Sequence, residues 1–407
     1  MRRALVVVHR WAGLTIALVL VVAGITGAVL PYDEVLNHML ARQTWRATPP
    51  APGARPLSGI ELMRRVESQT GAVVRYMPLQ LDPDFAAGVF VRPMRGRPSI
   101  DFDEVIADPY TGAVRRKVLY GRLSDGSVNV IPFLLQLHYS LAAGPLGSSI
   151  FGLAALIWVL VCIVGFYLTL PARRYWKAWL RLWRPAWSVR THAGLRTLLY
   201  DTHRAGGLWI WPILLVFAWS AVAFNLPQVH DPVNRLFGGL GLYEPPANPH
   251  PGEGIPMSLE SAVARGETLM LQQSRKLAFT IERGYALTLD PRAHAIGYYA
   301  RTSLDRPVEH QGSTLVWFDA IDGHFLGFQP PFGSTPADRA DKWIRELHVA
   351  GVFGPLYRIF VSLIGLMTAA VSLTGVILWA RRQTLTRGVG AQSPGADDWG
   401  LDPLARK

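Results

Sequence analysis

The sequence contains a single cysteine, Cys162, which lies inside an apolar run. One cysteine cannot form an intramolecular disulfide, a cysteine-based zinc site or the Cys-x-x-Cys-His attachment of a c-type haem. The sequence also lacks a Gly-x-Ser-x-Gly nucleophile motif, a His-Glu-x-x-His zinc motif and a phosphate-binding loop. Any metal cofactor must therefore be bound by histidine or oxygen ligands.

Charged residues are scarce in this chain of 407 residues. They make up 17% of it, against roughly 25% in an average soluble domain, and the mean hydropathy is +0.20. Four stretches are free of charge, at residues 11–30, 139–172, 205–229 and 359–380. Each has at least about 20 residues, enough to cross a bilayer as a helix. The sequence therefore predicts a mainly α membrane protein with four transmembrane helices.

The net charge of +12 follows the predicted topology. Eight Lys or Arg residues lie in the loop between the second and third apolar stretches, and the termini are basic as well. The positive-inside rule places this loop and both termini in the cytoplasm. The aromatic residues of the loop (Tyr175, Trp176, Trp179, Trp183 and Trp187) are typical of a membrane interface. The predicted layout is transmembrane helices within 1–30, 138–172, 204–229 and 348–381, outer segments at 31–137 and 230–347, a basic loop at 173–203 and a tail at 382–407. This charge pattern indicates membrane topology and not a nucleic-acid partner.

The two halves of the chain repeat each other. Residues 137–146 read LHYSLAAGPL and match LHVAGVFGPL at 347–356, while HRWAGL at 9–14 matches HRAGGL at 203–208. The outer segments repeat more faintly, with helix-like stretches at 58–70 and 258–272, alternating strands at 88–92 and 297–301, and Asp-to-Gly turns at 108–112 and 319–323. We therefore expect a tandem duplication with two small outer α+β domains, each of about 100 residues and each large enough to fold alone.

Four histidines occupy matched positions in this repeat. His9 and His203 are predicted at the cytoplasmic ends of spans one and three, and His138 and His348 at the outer ends of spans two and four. Two imidazoles at each face, from two different helices, suit a bis-histidine haem. Nearby glycines would allow close approach, and three arginines are candidate partners for haem propionates: Gly13, Gly144, Gly206, Gly207, Gly354, Arg10, Arg204 and Arg358.

Other interpretations of the histidines stay open at this point. All four could be ordinary residues at helix ends, since duplication also copies residues without a role. A zinc site would need three or four convergent ligands, and each face supplies two. His192, in the basic loop, is a further candidate ligand on the cytoplasmic side. The histidines of the outer segments are expected to be exposed or structural: His38, His230, His250, His294, His310 and His324.

With these motifs, together with Asp-Pro-Tyr-Thr-Gly at 108–112, the chain resembles the PepSY-associated transmembrane family from His9 to about Arg382. That family includes iron-regulated inner-membrane proteins and ferric-siderophore reductases of the ferrioxamine type. The resemblance implies four spans in a bacterial inner membrane, two periplasmic PepSY-like domains and two b-type haems. It implies axial ligation by His9, His203, His138 and His348. Some relatives carry a fused flavin reductase domain, which this sequence does not show, so we expect a separate cytoplasmic reductase or a membrane quinol as electron donor.

The sequence thus leads to the hypothesis of a di-haem reductase that passes electrons from the cytoplasmic side to a periplasmic acceptor, with a ferric siderophore as the acceptor that fits best. Two alternatives belong to other classes. One is a regulatory or binding protein that uses its PepSY-like domains without redox activity, and the other is a solute or metal transporter. Substrate contacts are sought in residues 121–136 and 329–345, where Trp343 and Arg345 are candidates.

Overall fold

The computed structural model describes residues 1–74, 76–94, 99–171, 178–241, 245–249, 251–290, 293–305 and 313–390, with side chains up to Arg382 in the last helix. Several residues singled out above lie outside these ranges. They are Arg173, Arg174, Tyr175, Trp176 and Lys177 of the basic loop, His250, His310 and the tail beyond residue 390.

The described chain forms helices and antiparallel strands. The helices are α1 Arg2–Val29, α2 Asp33–Leu40, α3 Arg42–Trp45, α4 Gly59–Thr70, α5 Val130–Ser140, α6 Gly144–Thr169, α7 Trp179–Trp183, α8 Leu195–Trp209, α9 Trp211–Asn225, α10 Pro227–Leu236, α11 Leu259–Leu277, α12 Pro336–His348 and α13 Gly354–Gly390. The strands are β1 Ala72–Val74, β2 Tyr76–Pro78, β3 Ala87–Pro93, β4 Glu104–Ala107, β5 Val114–Val118, β6 Ile281–Asp290, β7 Ala295–Thr302, β8 Thr314–Asp319 and β9 Phe325–Gln329.

Within the described residues, three helical stretches are long and apolar enough to cross a membrane: Arg2–Leu40, which begins with α1, then α6, and Gly354–Arg382 of α13. Helices α8 and α9 are long and apolar enough to cross a membrane only if they are taken together, and they are bent by 71° at the break between them. The prediction of one continuous helix over 204–229 is therefore wrong. Pro212 stands in the first turn of α9, where its missing N–H and its ring prevent α8 from continuing.

His138 and His348 lie on separate helices ahead of the spans, not on the spans themselves. His138 is near the end of α5, and His348 is the last residue of α12. Each helix is followed by a tight turn that contains residues with positive φ, among them Leu141 and Ala350, before α6 and α13 begin at glycines. These turns reverse the backbone, so the charge-free stretch that begins at residue 139 is interrupted.

The extramembrane elements confirm the predicted helices, strands and turns. Helix α4 and helix α11 begin after Ser58 and Ser258, whose side chains cap them, and β3 and β7 contain the predicted strands. The β4–β5 and β8–β9 turns contain Gly112 at φ 66° and Gly323 at φ 73°, values that glycine adopts without strain.

The two outer segments share one hydrophobic core. One sheet has the strand order β1-β3-β4-β5, and the other has β2-β6-β7-β8-β9, so that β2 from the first segment pairs with β6 from the second. Val66 of α4, Met270 of α11 and Phe318 of β8 belong to the same buried cluster. The expectation of two cores that fold alone is therefore wrong, because β2 crosses into the second sheet and the two segments bury their apolar faces together.

Glu104 of β4 gives a testable pH dependence. Its side chain is buried, and Asp103 precedes it in sequence. Burial raises the pKa of Glu104 to about 7, with a smaller contribution from the negative charge of Asp103. Ionisation in the folded state therefore costs stability progressively as pH rises from about 4.5 to 7. We expect Glu104→Gln to stabilise the outer part by roughly 3 kcal/mol at pH 8 and not at pH 4.

Urea unfolding of the full-length protein in detergent, followed by circular dichroism at both pH values, measures this difference. The exposed residue Glu253 provides the control, since Glu253→Gln should leave stability unchanged at either pH. An equal change in the free energy of unfolding at pH 4 and pH 8 in Glu104→Gln would contradict the raised pKa of Glu104.

Candidate functional site

The structure brings the four matched histidines together as two pairs. The ring centres of His9 on α1 and His203 on α8 are 6.2 Å apart, with the ring planes at 74°. The ring centres of His138 on α5 and His348 on α12 are 6.1 Å apart, with the planes at 82°. We call His9 and His203 the first pair and His138 and His348 the second pair. Each pair joins residues that are about 200 positions apart in sequence.

Helix α13 holds His203 of the first pair. Nδ1 of His203 is 2.8 Å from the carbonyl oxygen of Val371 and 3.3 Å from the Thr374 hydroxyl. A Cβ atom at Gly375 would lie 3.1 Å from Cε1 of the ring, so this glycine lets the imidazole pack directly on the α13 backbone.

Helix α6 packs against His9 in the corresponding way. A Cβ atom at Gly165 would come within 2.9 Å of Cε1 of His9. The buried Nδ1 of His9 lies beside the carbonyl of Val161 without reaching hydrogen-bond geometry. Glycine at this position is therefore needed for the His9 ring to keep its place.

The second pair is held by α1 and α9. Nδ1 of His138 is 3.1 Å from the carbonyl oxygen of Ala23 and 3.0 Å from the hydroxyl of Thr26, and its Cε1 would be 2.9 Å from a Cβ at Gly27. Nδ1 of His348 is hydrogen-bonded to the hydroxyl of Ser220, which in turn lies 2.8 Å from the carbonyl oxygen of Val216.

These hydrogen bonds determine which ring nitrogen is free. A carbonyl oxygen only accepts hydrogen bonds, so Nδ1 carries the proton in His138 and His203. The partner of His348 is the Ser220 hydroxyl, which donates its proton to the carbonyl of Val216 and therefore accepts one from Nδ1. Nε2 then keeps its lone pair, and in the described part of the chain it has no hydrogen-bond partner in these three residues. Fixing Nδ1 on a carbonyl is the usual way in which proteins orient a metal-binding imidazole.

The separation within each pair fits one metal atom between two imidazoles. An imidazole nitrogen binds a metal at about 2.0–2.1 Å, and the ring centre lies roughly 1 Å further away, so two rings on opposite sides of one metal have centres roughly 6 Å apart. The observed 6.2 Å and 6.1 Å agree with that arrangement. Two neutral nitrogens on opposite sides are the donor set of a bis-histidine haem.

A zinc site fits less well. In the described part of the chain, the only cluster of three or more His, Cys, Asp or Glu side chains with ligand spacing is Asp319, Asp322 and His324 in the outer segment. Asp319 already accepts hydrogen bonds from the backbone N–H groups of Ile321, Asp322 and Gly252, so its carboxylate stabilises a turn. Among these same described residues, neither histidine pair has the third ligand that zinc requires.

The two pairs lie near opposite ends of α1. This helix carries His9 near its start and Thr26, which contacts His138, near its end. Seventeen residues at 1.5 Å each separate them by about 25 Å along the helix axis. This separation is close to the thickness of a hydrocarbon core, roughly 30 Å.

The residues that hold the rings were missed by sequence analysis. Thr26 and Ser220 stand 194 positions apart, the spacing of His9 and His203, and Gly165 and Gly375 stand 210 apart, the spacing of His138 and His348. Extending the repeat alignment into the spans could have found them. The glycines predicted to allow close approach do not touch the rings. A Cβ atom at Gly13, Gly144 or Gly354 would meet nothing within 4 Å, and one at Gly206 or Gly207 would lie beside Val371.

The three arginines predicted as partners for haem propionates have different surroundings. Arg204 is ion-paired with Asp201 at 3.0 Å, and Asp201 also binds Arg190. The Nε atoms of Arg10 and Arg204 are nevertheless buried without a hydrogen-bond partner in the described ranges. Each follows a histidine of the first pair in sequence, so both remain suited to an anionic group there. Arg358 is exposed on α13.

The remaining candidates have other surroundings. His192 is exposed. Trp343 is partly exposed and contacts Phe353, while Arg345 is bound to Asp341 and to the carbonyl of Ala223. His230, expected to be exposed or structural, is buried between two carboxylates.

Comparison with known proteins gives one family. The family model described as PepSY-associated TM region matches residues 6–382, nearly the whole chain. A search of curated proteins finds no match.

Proposed function

The chain belongs to the PepSY-associated TM region family, and on that premise we propose that it is a di-haem b membrane oxidoreductase. The observation that carries the proposal is the pairing of four histidines into two sites near opposite ends of α1, each with ring centres about 6 Å apart. The proposed activity is the transfer of electrons from one face of the membrane to an acceptor at the other.

The protein's own contribution is ligand positioning. The carbonyls of Ala23 and Val371 hold Nδ1 of His138 and His203, so that the Nε2 lone pairs remain available. Gly165, Gly27 and Gly375 allow three of the rings to pack against neighbouring helices. When bound, two b-type haems would supply one-electron redox chemistry at two positions along the membrane normal.

We propose a topology with four spans, in which the bent pair α8–α9 serves as the third. Both termini and the basic loop at 173–203 would be cytoplasmic, and the two sheets would be periplasmic in a bacterial inner membrane. The first pair would then lie near the cytoplasmic face. A separate reductase or a membrane quinol is the proposed donor.

The acceptor that we propose is a ferric siderophore. Its hard oxygen ligands bind Fe(III) strongly and Fe(II) weakly, so that addition of one electron releases the metal. This choice comes from the family resemblance, and other periplasmic acceptors of one electron would suit the same sites.

The alternatives explain less of what is observed. A binding protein that uses only its outer domains has no use for two pairs of imidazoles, three of them with an oriented Nδ1 atom. A broken span is typical of transporters, but α1, α6, α9 and α13 contain no Asp or Glu. Asp201 of α8 is neutralised by two arginines.

Electron transfer across a bilayer tests the proposal. Haem-loaded protein is placed in vesicles that contain a ferric hydroxamate chelate and a chromogenic Fe(II) chelator, and dithionite is added outside. We expect the Fe(II) complex to form inside at a rate at least tenfold above that of protein-free vesicles. A rate equal to that of protein-free vesicles, with haem present in the protein, would contradict the reductase assignment.

A further inference from the structure

A buried histidine in the outer part lies between two carboxylates. His230 of α10 is 3% exposed, its Nε2 is 3.1 Å from Asp341 of α12, and its Nδ1 is 3.0 Å from Asp231. An ionised carboxylate only accepts hydrogen bonds, and a neutral imidazole has one N–H to donate. Both hydrogen bonds can therefore form together only when the site holds an additional proton. The geometry is that of a proton-binding site.

The same elements connect His230 to the second pair. On α9, Trp219 lies 5.7 Å from His230 between ring centres, and the next residue, Ser220, is hydrogen-bonded to His348. On α12, Asp341 stands seven residues before His348, about 10 Å along the helix.

A second connection runs through Arg345. It is bound to Asp341 at 3.1 Å, and its guanidinium lies 5.0 Å above the ring of Phe224, which is 5.6 Å from His348. The proton-binding site and the second pair are thus separated by single layers of side chains.

The charges around His230 make it responsive to a charge change nearby. Among the described residues, the charged groups that face it are Asp231 of its own helix and Asp341 and Arg345 of α12, and α9 contributes only uncharged residues. This group has a net charge of −1 when His230 is neutral and of zero when it is protonated. Extra negative charge at a buried position nearby therefore favours protonation.

We propose that His230, with Asp231 and Asp341, takes up one proton when the haem that the second pair would hold gains one electron, and releases it when that electron passes to the acceptor. This proposal rests on the proposed function and adds proton coupling to it. The electron would lower the net charge at the haem site of the second pair by one, and the proton bound at His230 would restore the balance. Asp231 has a side chain that is 35% exposed and connects His230 to solvent.

The surroundings of His230 favour its protonated form. Burial disfavours the imidazolium, but the hydrogen bonds to Asp341 and Asp231 outweigh this effect and raise the pKa of His230 above its usual value. The folded protein therefore keeps this proton to a higher pH than an ordinary histidine does and loses it as the pH rises through the raised pKa. Above that pH, His230 is free to take up a proton when negative charge arrives nearby.

Redox titration of the full-length, haem-loaded protein between pH 5.5 and 8.5 tests the coupling. We expect the midpoint potential of the haem at the second pair to fall as pH rises, by up to about 59 mV for each tenfold change in proton concentration. The first pair should show no such slope. His9→Ala, which retains only the second pair, assigns the two potentials.

His230→Gln should abolish the slope and keep both haems. The matched control is His38→Gln, which removes a half-buried histidine stacked on Phe85 in the first segment and should leave the slope intact. A wild-type midpoint potential that does not change with pH, or one that still changes with pH in His230→Gln, would overturn the proposal.

Asp231→Asn provides a second variant if His230→Gln does not fold. Loss of this carboxylate should lower the pKa of His230, so that the pH range in which the midpoint potential changes moves to lower pH. An unchanged pH range would also overturn the proposal. These outcomes differ from failure of the proposed function, in which the wild-type protein would bind no haem.

Discussion

Full-length protein with His348→Ala is expected to bind about one haem per chain where the wild type binds about two, and His203→Ala is expected to give the same count. The reason is that each pair supplies both axial nitrogens from two helices, and removal of one imidazole leaves a single ligand. The two sites are about 25 Å apart along α1, so loss at one should not empty the other. Electron transfer across vesicles should fall to the protein-free rate in both variants, because both positions are needed to cross the membrane.

His192→Ala is the control for these variants. His192 is exposed in the basic loop and precedes His203 by eleven residues, so its removal should leave two haems and full transfer. The double variant His203→Ala with His348→Ala should bind none. Loss of both haems from a folded single variant would contradict the existence of two separate sites.

The second large effect is expected at Gly27. A Cβ atom there would lie 2.9 Å from Cε1 of His138, closer than side chains pack, and the remainder of a valine side chain would add to the overlap. Gly27→Val should displace the His138 ring from Ala23 and Thr26 and lower the haem content from about two to about one. Pyridine haemochrome analysis of the purified protein measures the loss.

Gly194→Val serves as the matched control. Gly194 precedes α8, has negative φ, and a Cβ atom there would meet nothing within 4 Å. This variant should keep both haems. A Gly27→Val protein with two haems and unchanged reduced spectra would show that the His138 ring is not held as described.

The histidine pairs could be predicted from sequence because the repeat copies short, unusual motifs. His-Arg followed by Gly-Leu, and Leu-His followed by Gly-Pro-Leu, stand out against apolar surroundings. Thr26, Ser220 and Gly375 do not stand out, since threonine, serine and glycine are common inside membrane helices. Their roles depend on which helix packs against which ring, and only the folded arrangement shows this.

Other features depended on tertiary structure in the same way. Strand β2 has three residues, too few for an alternating pattern, and its partner β6 lies about 200 residues later. Pro212 lies in a run that is apolar throughout, where hydropathy alone predicts an uninterrupted span. His230 has polar neighbours in sequence, but the folding of α10 against α9 and α12 buries it.

The most direct test of the haem assignment is the haem content and spectrum of the full-length protein. Protein purified in mild detergent from cells supplied with haem should contain about two b-type haems per chain, with low-spin, six-coordinate spectra in both the oxidised and the dithionite-reduced forms. A colourless preparation, or one that holds zinc and no haem, would contradict the assignment of the two histidine pairs as haem ligands.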